Sequence, residues 1–220
     1  MNILITAGPT REALDPVRFL TNRSSGKMGY ALAEAARAAG HEVILISGPV
    51  NLSAPQGITL ISVESAKEMF LAVEAQISKV TVAIFAAAVA DYRPATKATQ
   101  KIKKSSNLLT LELERTEDIL GSARQVFGFS GLLVGFAAET ENLIANAHEK
   151  LTRKGCDLII ANDVSQIGIG FDSSENAVTL CFPGEKSISL AQQSKTLLAS
   201  HLIQQIERLV TKRRAKHVSA

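Results

Sequence analysis

Val80–Asp91 reads V-T-V-A-I-F-A-A-A-V-A-D. A run this apolar, from Val80 to Ala90, reads as a strand covered on both faces, with Asp91 the first charge at its end. Working back from it, Ser65 with Glu68 three residues on is a capping box, and it opens a helix over Ala66–Ser78. Ile58–Val63 and Glu42–Ile46 are apolar strands, the latter stopped by Ser47-Gly48-Pro49. Met28–Ala39 is an Ala-rich helix closed by Gly40. Asn2–Ala7 is a first strand, stopped by Gly8-Pro9-Thr10, and the stretch from Arg11 to Lys27 is polar.

Beyond it, Tyr92–Asn107 carries Pro94, two Ser and Lys97, Lys101, Lys103 and Lys104, the pattern of a mobile loop. Leu108–Glu114 alternates as a strand with one wet face. Glu117–Phe127 reads as a short helix, Leu132–Ala138 as a strand and Glu141–Lys154 as a helix closed by Gly155. Asp157–Ala161 is another strand. Ala177–Phe182 and Ser187–Leu190 flank Pro183-Gly184 as a hairpin, and Gln192–Lys212 has the apolar spacing of a long helix. Strands that are apolar throughout, alternating with Ala-rich helices, specify an α/β fold: a mostly parallel sheet with helices on both faces, plus a small β-hairpin extension. The pattern is continuous, so residues 1–220 read as a single domain.

Hydrophobic residues make up 46% and charged residues 20% of the 220, which excludes a disordered chain. No run approaches the ~20 apolar residues of a membrane span. Trp is absent and aromatics are 5%, so a stacking platform for nucleic acid is not expected. A net charge of +3 suits small anions but is too weak for DNA. Lys212, Arg213, Arg214 and Lys216 read as a frayed, solvated tail. Cys156 and Cys181 lie in or beside apolar runs and read as buried free thiols, consistent with the reducing cytoplasm. No zinc-type ligand spacing is present.

Five segments have the chemistry of a site. Thr21–Gly29 joins a polar loop to a helix start, and reads either as an anion site or as a helix cap. It lacks both the G-x-G-x-x-G and the Walker A glycine patterns. Phe85–Tyr92 places small residues at a strand's carboxyl end, where ligands reach the backbone, with Asp91 at the rim. Lys101-Ile102-Lys103-Lys104 offers point charges to a triphosphate or is merely solvated. His148, Lys150, Arg153 and Lys154 end a helix and complement its dipole, or, through the shared face of Lys150 and Lys154, grip an anion. Asn162-Asp163, after a strand, reads equally as a turn or a pocket rim.

In combination and order, Ile3–Gly29, Ala87–Tyr92, Lys101–Lys104, Gly135–Thr140 and Ala161–Val164 resemble the phosphopantothenate–cysteine ligases of the bacterial, CTP-dependent type. The resemblance implies a Rossmann-like fold and a cytoplasmic ligase of coenzyme A biosynthesis. Its substrates are 4′-phosphopantothenate, L-cysteine and CTP, with Mg2+. It also implies a homodimer, with the hairpin about Pro183-Gly184 as the expected contact. The decarboxylase domain commonly fused ahead of such ligases, a flavin-dependent one, is not expected here, since Met1 directly precedes the first strand. By position, CTP contacts fall on Phe85, Ala86, Ala87, Asp91, Lys101, Glu117, Asp118, Ile119, Leu120, Phe136, Lys150 and Lys154. Glu117 stands where the family has Pro. Arg18, Asn22, Ala87 and Ala88 map near an acyl-nucleotidylate. Asn22 is implied in the second step and Lys101 at the phosphates. Mg2+ is expected on the CTP phosphates, with Asp91 a candidate ligand. Two rival readings share the α/β pattern: a nicotinamide-dependent oxidoreductase, which lacks support from any glycine fingerprint, and a non-catalytic nucleotide-binding module.

Overall fold

The computed structural model describes residues 1–104, 107–139, 141–163 and 173–218. Ser105, Ser106, Thr140 and Val164, which fall in segments singled out above, lie outside the described residues. Strand β1 (Asn2–Ala7) is buried from Ile3 onward and lies at the centre of the sheet. It pairs in parallel with β4 (Glu42–Ser47) on one side and β6 (Val82–Phe85) on the other. β5 (Thr59–Ser62) extends the sheet beyond β4. β9 (Leu132–Glu139) and β10 (Leu158–Asp163) extend it in parallel beyond β6. β11 (Glu175–Cys181) and β12 (Ile188–Ser194) complete it as an antiparallel hairpin. The order is therefore β12-β11-β10-β9-β6-β1-β4-β5, a Rossmann-like arrangement. The chain winds outward from β1 through β4 and β5, then returns to β6 on the other side. That reversal opens a crevice beyond the carboxyl ends of β1 and β6.

Helices cover both faces. On one, α1 (Lys27–Ala38) and α5 (Lys195–Val218) bury Leu32, Ala33, Leu198, Leu202 and Ile206 against Ile3, Ile5 and Leu45. On the other, α2 (Ala66–Ile77), α3 (Ile119–Gln125) and α4 (Leu143–Lys154) bury Met69, Val73, Ala123, Ala147 and Leu151 against Leu4, Ala83 and Leu133. The expected cap of α2 forms. Ser65 Oγ accepts from Glu68 N at 3.2 Å, and Glu68 Oε2 accepts from Glu64 N at 2.8 Å. Cys156 and Cys181 are buried and unbridged.

Two ribbons stand apart from the sheet. β2 (Arg11–Ala13) and β3 (Phe19–Thr21) form a hairpin inside the stretch read only as polar. Thr21 Oγ1 donates to Thr10 O at 2.7 Å, and Glu12 Oε1 accepts from Ala66 N at 2.9 Å, so both strands of the hairpin are rooted. β7 (Tyr92–Pro94) and β8 (Leu113–Arg115) form the second.

Several expectations are corrected here. The strand read to Ala90 stops at Phe85. Beyond it Ala86 N and Ala88 N still donate to Thr6 O and Gly8 O, and Pro9 makes an isolated bridge to Ala88. The strand read over Leu108–Glu114 pairs only from Leu113. Its dry face has no layer to cover it, and Leu109, Leu111 and Leu113 are all exposed. The start of the loop read over Tyr92–Asn107 is β7. Gln192–Ser194 belong to β12, and the last helix starts at Lys195. Of the basic end read as a frayed tail, Lys212 and Arg213 are anchored, and the side chain of Lys216 lies outside the described residues; Lys212 Nζ donates to Glu185 Oε1 at 2.9 Å. Arg213 Nη1 donates to Gly131 O at 3.1 Å and to both Asp157 oxygens at 3.2 Å, and Nη2 to Ser130 O at 2.7 Å. A planar guanidinium makes such a fork where an ammonium cannot.

Candidate active site

A cleft of about 1090 Å³ occupies the crevice at the carboxyl ends of β1, β6, β9 and β10. Its first wall is the start of α1. Gly26, at φ 77°, caps that helix with no side-chain acceptor, and Gly26–Gly29 line the cleft. The positive dipole end of a helix at a cleft wall favours an anion. Gly29 lets the helix lean on the sheet, since a Cβ there would stand 2.5 Å from Ala7 Cβ.

The second wall is the loop after β6, Phe85–Val89 with Asp91. Two threonines of the first strand and its turn hold it. Ala87 N donates to Thr6 Oγ1 at 3.3 Å and Ala90 N to Thr10 Oγ1 at 3.0 Å. Asn22 closes it from the far side: its Nδ2 donates to Ala88 O at 3.0 Å and Val89 O at 3.1 Å.

The third wall is α3 and α4. Asp118 Oδ1 accepts from Gly121 N at 3.0 Å and so caps α3, while Oδ2 is paired with Lys154 Nζ. Burial works to raise the Asp118 carboxyl, but Lys154 and the Gly121 N–H hold it below its ordinary value. Lys150 Nζ donates to Phe136 O at 2.7 Å, and burial pushes the Lys150 ammonium below its ordinary value. Glu117 pairs with Arg93 at 3.0 Å and Lys67 at 3.3 Å. Burial opposes its ionisation, yet its own backbone N–H, Lys67 and Arg93 hold it low. Its carboxylate is thus tied into an ion cluster at the cleft wall.

Asn22, Phe85, Ala86, Ala87, Ala88, Asp91, Glu117, Asp118, Ile119, Leu120, Phe136, Lys150 and Lys154 all line this one cleft. Arg18 and Lys101 do not. They lie on the β2–β3 turn and on the segment after β7, respectively, both exposed. Asn162 is on the rim, with Oδ1 buried and without a hydrogen-bond partner among the described residues, an acceptor suited to a ligand N–H or O–H. Arg23, Glu139 and Arg153, from segments singled out in the sequence, also line the cleft, as do Arg115, Asn146, Asn176 and Lys195, which escaped the sequence reading. Asn146 Nδ2 donates to Glu139 Oε2 at 2.9 Å, orienting a carboxylate at the end of β9.

Residues 1–210 match the DNA/pantothenate metabolism flavoprotein C-terminal domain. The chain belongs to that family. It is 51% identical over 212 residues to the coenzyme A biosynthesis bifunctional protein CoaBC of Vibrio vulnificus (strain YJ016), covering 95% of this chain and 52% of the relative. It is 46% identical over 210 residues to the CoaBC of Escherichia coli (strain K12), covering 94% and 51%. The chain therefore spans about half the length of these curated relatives. A crystal structure of the C-terminal domain of a CoaBC superposes with a TM-score of 0.81 at 44% identity, covering 96% of each chain. Among the described residues no helix is long and apolar enough to cross a membrane.

Proposed function

We propose that this chain is a ligase of coenzyme A biosynthesis that joins 4′-phosphopantothenate to L-cysteine at the expense of CTP. The observation that carries this reading is the convergence of Asn22, the Phe85–Asp91 loop and the Lys150/Lys154 pair on one cleft. Likeness to the C-terminal domain of CoaBC across 96% of both chains supports it.

The substrate carboxylate attacks the α-phosphorus of CTP. The bond to the β-phosphate breaks, pyrophosphate leaves and an acyl-cytidylate forms. The cysteine amine then attacks the acyl carbon, and CMP leaves with the electron pair of the anhydride oxygen. The first step concentrates negative charge, so its barrier falls where cations are fixed in a poorly hydrated site. The Lys150 ammonium is costly to bury and gains most from an anion. Lys154 is already paired with Asp118. Lys101 and Arg18 are the exposed cations of this reading. Asn22 serves the second step.

Magnesium prefers one or two carboxylates with substrate phosphates and water. Asp91, an exposed carboxylate on a cleft rim, fits that habit, and among the described residues no cluster of three or more His, Cys, Asp or Glu offers an all-protein cage. Mg2+ held by Asp91 and the nucleotide would neutralise phosphate charge. We also place the protein in the cytoplasm as one domain over residues 1–220, acting as a homodimer, with β12 as an open sheet edge beside Pro183-Gly184. A flavin-dependent decarboxylase, fused or separate, is the partner activity suggested by the bifunctional relatives.

The test is pyrophosphate release from CTP with and without 4′-phosphopantothenate, followed by cysteine addition. Release that requires the acid, and amide formation that requires both, is expected. Release indifferent to 4′-phosphopantothenate would sink the proposal.

A further inference from the structure

The two cations that stay off the cleft wall, Arg18 and Lys101, are not independent of each other. Between them lies Asp15, whose side chain is fully buried although its neighbours in the turn are exposed. Five N–H groups converge on its carboxylate. Oδ1 accepts from Val17 N and Arg18 N, both at 2.8 Å. Oδ2 accepts from Arg18 Nε at 3.0 Å, Arg18 Nη2 at 2.6 Å and Ile102 N at 3.1 Å. Arg18 Nη2 also donates to Ile102 O at 3.1 Å. The peptide groups on both sides of Ile102 are thus fastened to the Asp15–Arg18 pair, immediately after Lys101. A further tie, Ala98 N to Leu14 O at 3.0 Å, zips the same segment to the same turn.

We infer that Asp15 is a positioning residue for the nucleotide-activating step: it locks Arg18 and the Lys101 segment into one unit with a fixed spacing between the two cations. This rests on the roles given to Arg18 and Lys101 under the proposed function. The chemistry supports it. A bidentate carboxylate–guanidinium pair fixes the direction of a side chain as well as its charge. Arg18 guanidinium beside Asp15 holds the carboxyl well below the usual range, so the lock persists throughout neutral pH. The unit is attached at both ends to the site. β3 runs straight into Asn22, and Asp91 on the cleft directly precedes β7, from which the Lys101 segment continues. A hairpin with no such task has little reason to bury a carboxylate against a segment 87 residues away in the chain.

Two substitutions cut the lock from opposite sides. Asp15→Asn removes the charge, and Ile102→Pro removes one donor while leaving the buried carboxylate and Arg18 in place. Each is made in the wild type and in an Arg18→Ala/Lys101→Gln background. Single-turnover pyrophosphate release, KM for CTP, thermal melts and tryptic cleavage after Lys103 and Lys104 are measured. In the wild type, both should slow release by ~10²-fold, the cost of misplacing a positioned group, with a much smaller change in KM. In the doubly substituted background they should slow it little further. Tryptic cleavage of the segment should accelerate in both. An equal loss in both backgrounds overturns the inference, because Asp15 would then act on the fold at large. So does unimpaired release in a folded variant whose segment has loosened, and so does unchanged cleavage. If Asp15→Asn fails to fold, Ile102→Pro decides by the same criteria. Unimpaired release in Arg18→Ala and Lys101→Gln would instead refute the roles given to those cations, and with them the inference; that failure is visible in these two variants alone.

Discussion

Asn22 lies with its side-chain amide nitrogen 3.0 Å from the carbonyl oxygen of Ala88, and Val89 O is 3.1 Å away on the same nitrogen. Both neighbours are acceptors, so the amide orientation is set by the hydrogen bonds themselves. With its two protons committed, the group left to offer a ligand is Oδ1, an acceptor. That suits an incoming amine better than an anionic oxygen of an intermediate. Asn22→Ala should therefore slow cysteine-amide formation by about 10²-fold while slowing pyrophosphate release much less. Both products are followed in one single-turnover experiment. Equal losses would assign Asn22 only the tethering of the Ala88–Val89 loop.

Asp118 both caps α3 and occupies Lys154. An incoming phosphate must compete with that carboxylate. Asp118→Asn keeps an oxygen for the cap but weakens the pair. It should lower KM for CTP about three- to fivefold, the worth of an exposed ion pair, with little change in melting temperature. A rise in KM would mean that the carboxylate itself touches the nucleotide.

Lys101 is next to the peptide locked by Asp15, whereas Lys103 and Lys104 are exposed cations with no such tie among the described contacts. Lys101→Gln should cut pyrophosphate release by ~10²-fold or more, since one preorganised donor is worth about 3–4 kcal/mol. The same change at Lys103 or Lys104 should do much less. Identical behaviour of all three variants would reduce the segment to a solvated charge run.

The sequence made some of this legible and hid the rest for physical reasons. Val82–Phe85 was readable because burial on both faces demands an apolar residue at every position. The end of that strand was not, because Ala86–Ala90 remain apolar in a loop covered by Thr6 and Thr10. The capping of α2 was readable because its determinants are three residues apart. The β2–β3 and β7–β8 ribbons were not, because strands of three residues are too short to establish a period. The cleft walls followed from the resemblance and from strand-end logic. Asp15, Asn146 and Arg213 could not, since their partners are distant in the chain or are backbone groups that carry no sequence signal.

Gly29 has a simple steric duty. A methyl group there meets Ala7 Cβ at 2.5 Å and Ala7 Cα at 3.1 Å, and neither can move without shifting β1. Gly29→Ala should cost about 1–3 kcal/mol, as overpacking does, and displace the start of α1 from the cleft. A denaturant melt together with KM for CTP checks both halves. Unchanged stability would mean that the helix slides freely on the sheet.

Two pH effects have opposite signs. Burial pushes the Cys156 thiol up to about 12, so it carries essentially no thiolate at pH 8. A disulfide reagent should titrate it only after denaturation; rapid labelling in the native protein would contradict its burial. Asp15, Glu117 and Asp118 are instead held below their ordinary values. Their contribution is complete above the unfolded carboxylate range near ~4 and is lost as pH falls below it. Acid titration of stability should therefore steepen there, and less so in Asp15→Asn.

The seating of α5 on α1 has a consequence for biosynthesis. Leu198, Leu202 and Ile206 of α5 share a cluster with Leu32 and Ala33 of α1, and Arg213 fastens the far end of α5 to Ser130, Gly131 and Asp157. α1 covers β1 soon after both are made, but the face of α1 that packs on α5 stays open until a far later segment has emerged. Contacts between sequence-distant segments are slow to form and leave apolar surface open meanwhile. The interval between making α1 and making α5 is the period in which this polypeptide most needs a chaperone, and synthesis stalled before Lys195 would hold a chain unable to complete its core.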